Sequence, residues 1–540
     1  MQLSKRGGSI CAILCALSLI LAGCSDHLPT APEGAATGTP GFSEGVSTQA
    51  TRPGYIRIGV VPSALVVKIG GTGDFVLRDK ATGATLLSGA NEEVDVSLGE
   101  GATSRTNYRL QVTCTSAAGR DELIADAQAA GYATYTENAG PCWRVFLGEF
   151  ASDASFSVRN AFRNEVIAAG LAGTDSFWKL VTIVEGSTEY RITRNDETIV
   201  TSSPVVIEAT TGNVLIGGTP YRGSGEVALN SGGALAGINE LPIEEYLYGV
   251  VPRELPPVPY GEPEAQKAQA VAARTYALSG LGKRRADGYD LLPTTSDQVY
   301  GGLGAEHPVS TQAVEETRGV VATYEGGFIQ ALFFSTSGGT TANNEDVFSS
   351  APIAYLRGIL DSDKAKDGKT LVDDLKKAIK PKDLRKEDKH AFDSDWSRYH
   401  RWTFEWTPEE ISQVISDFAG RPVGRVLAIN VLERSRSGRV MRIEYVTEAG
   451  SFFDTKDRIR SSLRYINASG APSSLLSTLF TIEPTKDKDE EGGFVAYGGG
   501  WGHGVGLCQT GAVGMAEQGR SYEQILKRYY QGISLETRSY

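Results

Sequence analysis

Basic residues are in short supply: 53 lysines and arginines stand against 65 aspartates and glutamates, a formal charge of −12. A nucleic-acid binder needs a basic face, so this balance argues against one. Histidine is scarce, with five in the chain, and no two cysteines stand as CxxC. A structural zinc site is therefore not expected, and no metal or other cofactor is called for. Long apolar runs are missing too. The stretch Ile10 to Ala22 falls short of the ~18–20 residues that a spanning helix needs.

What is present is a globular composition, 41% hydrophobic and 22% charged, with 63 glycines that imply many turns. At 540 residues the chain is too long for one core, and two to four domains are expected. Lys5 and Arg6 ahead of Ile10–Ala22 read as an export signal over residues 1–24. It ends in Leu21-Ala22-Gly23-Cys24, which looks like a bacterial lipobox and makes Cys24 the expected lipidation site. Residues 25–53, rich in Pro, Thr, Gly and Ser, read as a flexible tether. The expectation is an exported, lipid-anchored envelope protein on the periplasmic side of the outer membrane, touching the membrane through its anchor only.

Residues 54–104 hold short β-rich runs (YIRIGVV, ALVVKI, FVLRD, VDVSL), a strand-rich module. Residues 105–186 change character. YRLQVTC alternates as a half-buried strand, DELIADAQAAG reads as a helix, YATYTE and CWRVFLGEF as a strand pair, SFSVRNAFRNEVIAAG as a second helix and FWKLVTIV as a last strand. The order βαββαβ is that of a ferredoxin-like module. Its first and third strands are antiparallel neighbours, which brings Cys114 beside Cys142 and predicts a disulfide. YRLQV and WRVFLGEF resemble the SPOR domain, a peptidoglycan-binding module. Residues 187–235 return to strands and complete the split module, and residues 236–535 form the largest unit. Within it, the charge-laden stretch Asp361 to Trp396, with the helical patch VDDLKKAI, reads as a solvated surface insertion. The fold class expected is α+β and multidomain.

Four segments of the large unit carry chemistry. In LPIEEYLYGVVPRELPP, Glu254 ends an apolar run, Tyr246 to Val251, and lies between Pro252 and Pro256-Pro257. In GEPEAQKAQAVAARTYALS, Pro263 suits a first helical turn, and Lys267 and Arg274, seven apart, share one helix face. TTSDQVYGG and FFSTSGGTT read as polar strand ends. YGGGWGHGVGLCQTGAVGMAEQG is a glycine-dense loop carrying His503 and leading into a helix at about Gln509. A further helix has Ser521 and Gln524 as a capping box and Gly532 as its stop.

EYLYGVVPRELP, EAQKAQAVAARTYAL, DQVYGG, FFSTSGGTT, GWGHGVGLCQTGA and SYEQILKRYYQG resemble, in order over roughly 300 residues, the SpoIID/LytB family. It contains lytic transglycosylases that cut peptidoglycan glycan strands, and relatives described as amidase enhancers. The resemblance implies that Glu254 is the catalytic acid and that Lys267 and Arg274 take part in activity. It also implies substrate contacts from Gln298, Tyr300, Ser335, Ser337, His503 and Gln509. The implied partners are peptidoglycan glycan strands and an N-acetylmuramoyl-L-alanine amidase. Cys508 departs from the family, where Ser is commoner.

The chemistry fits the residue types. A hydrolytic glycosidase usually needs two carboxylates, but a lytic transglycosylase needs one, because the sugar's own 6-hydroxyl is the nucleophile. Glu254 must then be protonated near neutral pH, which requires desolvation. Lys267 and Arg274 suit the lactyl carboxylates left when stem peptides are removed, or else ordinary helix-surface salt bridges. His503 suits substrate orientation or proton transfer, or a structural hydrogen bond in a tight glycine turn. Two competing expectations are a glycan-binding amidase enhancer without catalysis and a Cys508/His503 peptidase or acyl transferase.

Overall fold

A computed structural model describes residues 52–99, 103–138, 142–173, 176–186, 189–348, 350–362, 384–386, 390–485 and 492–540. Cys24, the export segment, nearly all of the tether and the VDDLKKAI patch lie outside the described residues. No helix among the described residues is long and apolar enough to cross a membrane.

The N-terminal strands alternate as sheets require: Val67 and Ile69 are buried while Lys68 between them is exposed. They build a ten-stranded sheet that draws on both sides of residues 103–185. Val96 in Thr85–Leu98 sits opposite Ile192 in Tyr190–Arg194, and Ile58 in Tyr55–Ala64 sits opposite Asn239 in Leu235–Pro242.

The inserted module is a four-stranded antiparallel sheet. Thr103–Thr115 lies between Trp143–Ala151 and Phe177–Glu185, and Thr134–Asn138 forms the edge. Leu110, Val112, Val145, Leu147 and Val166 are its buried core. Cys114 and Cys142 are joined, their Cα atoms 5.5 Å apart. Its first helix is Ala117–Ala129, earlier than DELIADAQAAG suggests, because Ser116 accepts a hydrogen bond from the Gly119 N–H and caps it there.

The large unit does not separate from the sheet at residue 235. Helix Ile243–Glu254 directly follows the strand Leu235–Pro242, and its residues Tyr246, Leu247, Val250 and Val251 join the sheet's own core. Helix Pro263–Ser279 lies at a seam. Ala270, Ala273 and Ala277 face that core, whereas Ala265, Ala268 and Ala272 face a second core shared with Leu507, Val513 and Ile525. Small side chains let both cores approach the helix closely.

A third core collects Trp406, Ile411, Ile415, Phe480 and Phe494 from the strands and helix of residues 402–498. Helix Pro408–Ala419 is closed by a capping box between Thr407 and Glu410. Asn164 of the inserted module donates to the Ala419 carbonyl at 3.5 Å, and Gly420, at φ 73°, leaves room for Ala161, whose backbone nitrogen would lie 2.4 Å from an added Cβ.

The described parts of the 361–396 stretch are solvated only in part: Arg385, Lys386, His390 and Asp395 are exposed, but two aspartates are not. Asp361 and Asp393 are fully buried: Asp361 accepts from the Tyr529 hydroxyl at 2.8 Å, and Asp393 accepts from Ser337 at 3.1 Å and faces His400 Nδ1 at 2.9 Å. The density of charge along the chain concealed two internal hydrogen-bonding hubs.

Candidate active site

Helix Ile243–Glu254 buries one apolar face and carries Glu254 in its last turn. The segment is helical, and Arg253, one residue earlier, points into solvent because successive helical side chains diverge by about 100°. Glu254 opens into a cleft of about 560 Å³, lined also by Tyr276, Asp297, Ser335, Arg460, Trp501, His503 and Gln509. This size suits a small-molecule or sugar site.

The Glu254 carboxyl accepts the Val299 N–H at 2.6 Å and bonds the Gln509 side chain. Both contacts favour the anion, but burial outweighs them and pushes the pKa up to about 7. Among the described residues no cation pairs with it. Asp297, the other acid of the cleft, behaves oppositely. Burial pushes its pKa up, but Lys283 at 2.5 Å and Arg284 at 3.1 Å, with the Leu292 N–H, hold it below the ordinary carboxylate range. One wall therefore holds a neutralisable acid and a permanently paired anion. Only the first has a proton to exchange near neutral pH.

Burial pushes His503 down to about 4. Its Nδ1 accepts the Val505 N–H at 3.1 Å, and its ring lies 5.5 Å from both Phe334 and Phe348. Near neutral pH it is a neutral imidazole, positioned by these contacts. Gln509 reaches back to Gln269 at 3.4 Å; Gln269 is fully buried and its Nε2 has no hydrogen-bond partner among the described residues.

The remaining predicted residues lie elsewhere. Lys267 and Arg274 do share a face, but that face meets helix Pro308–Glu316. Arg274 is fully buried and grips Glu244 through two bonds of 2.9 and 2.7 Å, while donating to the Val314 and Val320 carbonyls. Lys267 pairs with Glu264 and Glu316 at 2.9 and 2.8 Å. Gln298 is buried between the Tyr246 hydroxyl and the Ala273 carbonyl. Tyr300 bonds Asn239 and packs at a tilt against Tyr246, with ring centres 4.9 Å apart. Ser337 is buried against Asp393. Of the eight substrate contacts expected, only Ser335, His503 and Gln509 line the cleft with Glu254.

Cys508 caps the helix Gln509–Glu517 by accepting the Gly511 N–H at 3.3 Å, yet it is fully buried. Burial and the nearby Asp361 and Asp393 push its thiol well above the ordinary value. A helix N-terminus alone does not make a thiolate in such a site, and this removes the basis for a Cys508 nucleophile.

Sequence reasoning passed over Trp501, Tyr276, Asp297 and Arg460. Trp501 had a visible signal, a large aromatic among glycines. It is 42% exposed at the cleft and packs edge-on against Tyr399. Arg460 comes from a segment 200 residues away, with nothing in the local pattern to mark it.

A family model described as "Stage II sporulation protein" matches residues 231–324, and one described as "Domain of unknown function (DUF8618)" matches residues 342–506. The chain is 31% identical over 299 residues to an uncharacterized protein of Brachyspira hyodysenteriae, covering 55% of this chain and 67% of that one. It is 31% identical over 301 residues to the amidase enhancer of Bacillus subtilis, covering 54% of this chain and 40% of that one. Stage II sporulation protein D of Bacillus amyloliquefaciens is 29% identical over 314 residues, covering 55% and 75%. With these relatives and the Glu254 segment inside the matched region, the chain belongs to the SpoIID/LytB family.

Proposed function

We propose that this protein is a peptidoglycan lytic transglycosylase acting on glycan strands stripped of stem peptides, with Glu254 as general acid and base. The observation that carries the reading is that Glu254, one of two acids in a sugar-sized cleft, is raised to about 7 by burial with no cationic partner among the described residues. A general acid works best with a pKa close to the working pH. Protonated Glu254 gives its proton to the oxygen between N-acetylmuramic acid and N-acetylglucosamine as the C1–O bond breaks. The carboxylate so formed takes the proton of the muramic 6-hydroxyl as O6 bonds to C1. The proton is returned, the 1,6-anhydro ring closes, and no water or second carboxylate is consumed. Paired Asp297 takes no part.

Trp501 offers an aromatic face for a sugar ring. Arg460 is the one cation among the described lining residues; it pairs with Asp457 at 3.2 Å, but unlike Lys267 and Arg274 it reaches the cleft, where it suits a lactyl carboxylate. On this reading the SPOR-like, ferredoxin-like inserted module and the lipid anchor at Cys24 deliver the cleft to stripped strands. Glu254→Gln should lower release of anhydro-sugar products from defined strands by at least about a hundredfold, followed by mass spectrometry. Release at the wild-type rate would end the enzymatic account.

The similarity to an amidase enhancer favours a second reading, a glycan-binding protein that accelerates a separate amidase. In that case strand length stays constant on incubation and added amidase runs faster, with or without Glu254.

A further inference from the structure

A second cleft, of about 240 Å³, opens where the inserted module meets the C-terminal strands. Helix Phe156–Ala168 and the strand entry Ser176–Trp178 form one wall; Asp454, Arg458 and Ser462 belong to the other. Four polar atoms converge there without a hydrogen-bond partner among the described residues: Asn160 Nδ2, Ser176 Oγ, Trp178 Nε1 and Arg458 Nη1. Asn160 and Ser176 are only 3% and 5% exposed. Each unsatisfied buried group costs roughly 1–3 kcal/mol, so four in one place are a debt that folding alone leaves open.

Three of the four are donors only, and the Ser176 hydroxyl can donate as well. Amide, indole and guanidinium nitrogens only donate, so the missing partner must be rich in acceptors. The charge is also one-sided: Arg159, Arg163 and Arg458 line the cleft against Asp454 alone, in a protein of net charge −12. Asp454 already pairs with Arg458 at 3.4 Å, and burial pushes its pKa up, which weakens it further as a counter-charge. Arg159 lies 3.7 Å over the Tyr108 ring. Phe177, 53% exposed, and Trp178 supply apolar faces beside these donors.

We propose that this junction is a binding site for a sugar-sized carboxylate, its acid group held by Arg159 and Arg458 and its neutral acceptors by Asn160, Ser176 and Trp178. The inference does not depend on the chemistry assigned to Glu254. Because the site's two walls come from different modules, an occupant would also fasten the inserted module to the C-terminal one.

The carboxylate could belong to a lactyl ether on a sugar or to a peptide terminus, and three probes separate these. N-acetylmuramic acid carries the sugar and the acid, N-acetylglucosamine lacks the acid, and D-alanyl-D-alanine lacks the sugar. Calorimetric titration of the full chain should show saturable binding of N-acetylmuramic acid and none of N-acetylglucosamine. Saturation by the dipeptide alone would identify the source as peptide. Asn160→Leu, close in shape and without the orphan amide, should weaken binding at least tenfold while leaving thermal stability equal or higher. Phe177→Ser on the exposed rim should weaken it without touching the core. Leu427→Ser, at an exposed position that lines neither cleft, should leave this binding intact. Equal binding to wild type and Asn160→Leu, loss on Leu427→Ser, or no saturable binding of either acid would overturn the proposal and leave the cleft to water.

Discussion

Glu254 is costly to keep in place, and the cost has a definite pH dependence. Its folded pKa of about 7 lies above its ordinary value of 4.5. Below the ordinary value the group is neutral in both states and costs nothing. Between the two values the unfolded chain gives up its proton first, so stability falls as pH rises, and above the folded value the full penalty is present. The difference corresponds to roughly 3 kcal/mol. Glu254→Gln should therefore melt with the wild type at pH 4 and well above it at pH 8, whatever the protein's activity. Between about pH 5 and 8, turnover by the proposed mechanism should decline above pH about 7 as the acid form is lost, with no second limb from His503, whose value of about 4 lies below that window. Arg274 presents the opposite case. Removing it leaves Glu244 charged and buried, with the Tyr540 hydroxyl and the Gly319 N–H as remaining partners, and should cost about 3–5 kcal/mol in denaturant melts. Lys267→Ala, removing a partly exposed pair, should cost less than about 1 kcal/mol. The seven-residue spacing predicted a shared face for these two cations. It could not predict what lies across it, because Glu244 and Val314 are 30 and 40 residues away in sequence.

The helix that carries Glu254 was legible, but in a pattern overshadowed by its prolines and glycine. Ile243, Tyr246, Leu247, Val250 and Val251 recur at the spacing of a single helical stripe, and all are fully buried. Gly249 and Pro252 are poor helix formers and suggest a loop. Gly249 is required by packing instead: a Cβ there would stand 2.6 Å from the Tyr300 ring and 3.0 Å from the Gly302 carbonyl. Gly249→Ala should thus push the helix off its Tyr246–Tyr300 contact, costing about 1–3 kcal/mol. Turnover should fall more than stability, since Glu254 rides on the displaced turn. Equal activity with lowered stability would show that the acid's position tolerates such a shift. The glycine loop and both C-terminal helices were easier to read, because their signals are local. Ser521 and Gln524 do form the capping box, and the preceding helix starts at Gln509. The buried aspartates at the ends of the 361–396 stretch had no local signal, since a carboxylate's burial depends on partners such as Tyr529 and His400 that come from elsewhere.

At the scale of the whole molecule, the order of modules was visible in composition and periodicity, but their joints were not. A boundary near residue 235 looked natural, yet the strand Leu235–Pro242 pairs with the first strand of the sheet and shares its core with the glutamate helix. The insertion of residues 103–185 is a cleaner joint. Leu98 and Tyr190, on either side of it, are cross-strand partners in adjacent strands, so a short turn can replace everything between them without breaking the sheet's register. Excising 103–185 should leave the ten-stranded sheet and the Glu254 cleft folded. The surface of helix Pro408–Ala419 that meets Asn164 and Ala161 would become exposed, and a modest fall in Tm is expected from that edge. Cleavage of short stripped strands should persist, because none of the residues lining the Glu254 cleft comes from the excised segment. Retention on insoluble peptidoglycan should drop if the inserted module acts as the targeting device. A folded deletion variant that lost short-strand cleavage would instead make the module part of the catalytic apparatus, acting through its contact with the C-terminal helix and the strands behind Arg460.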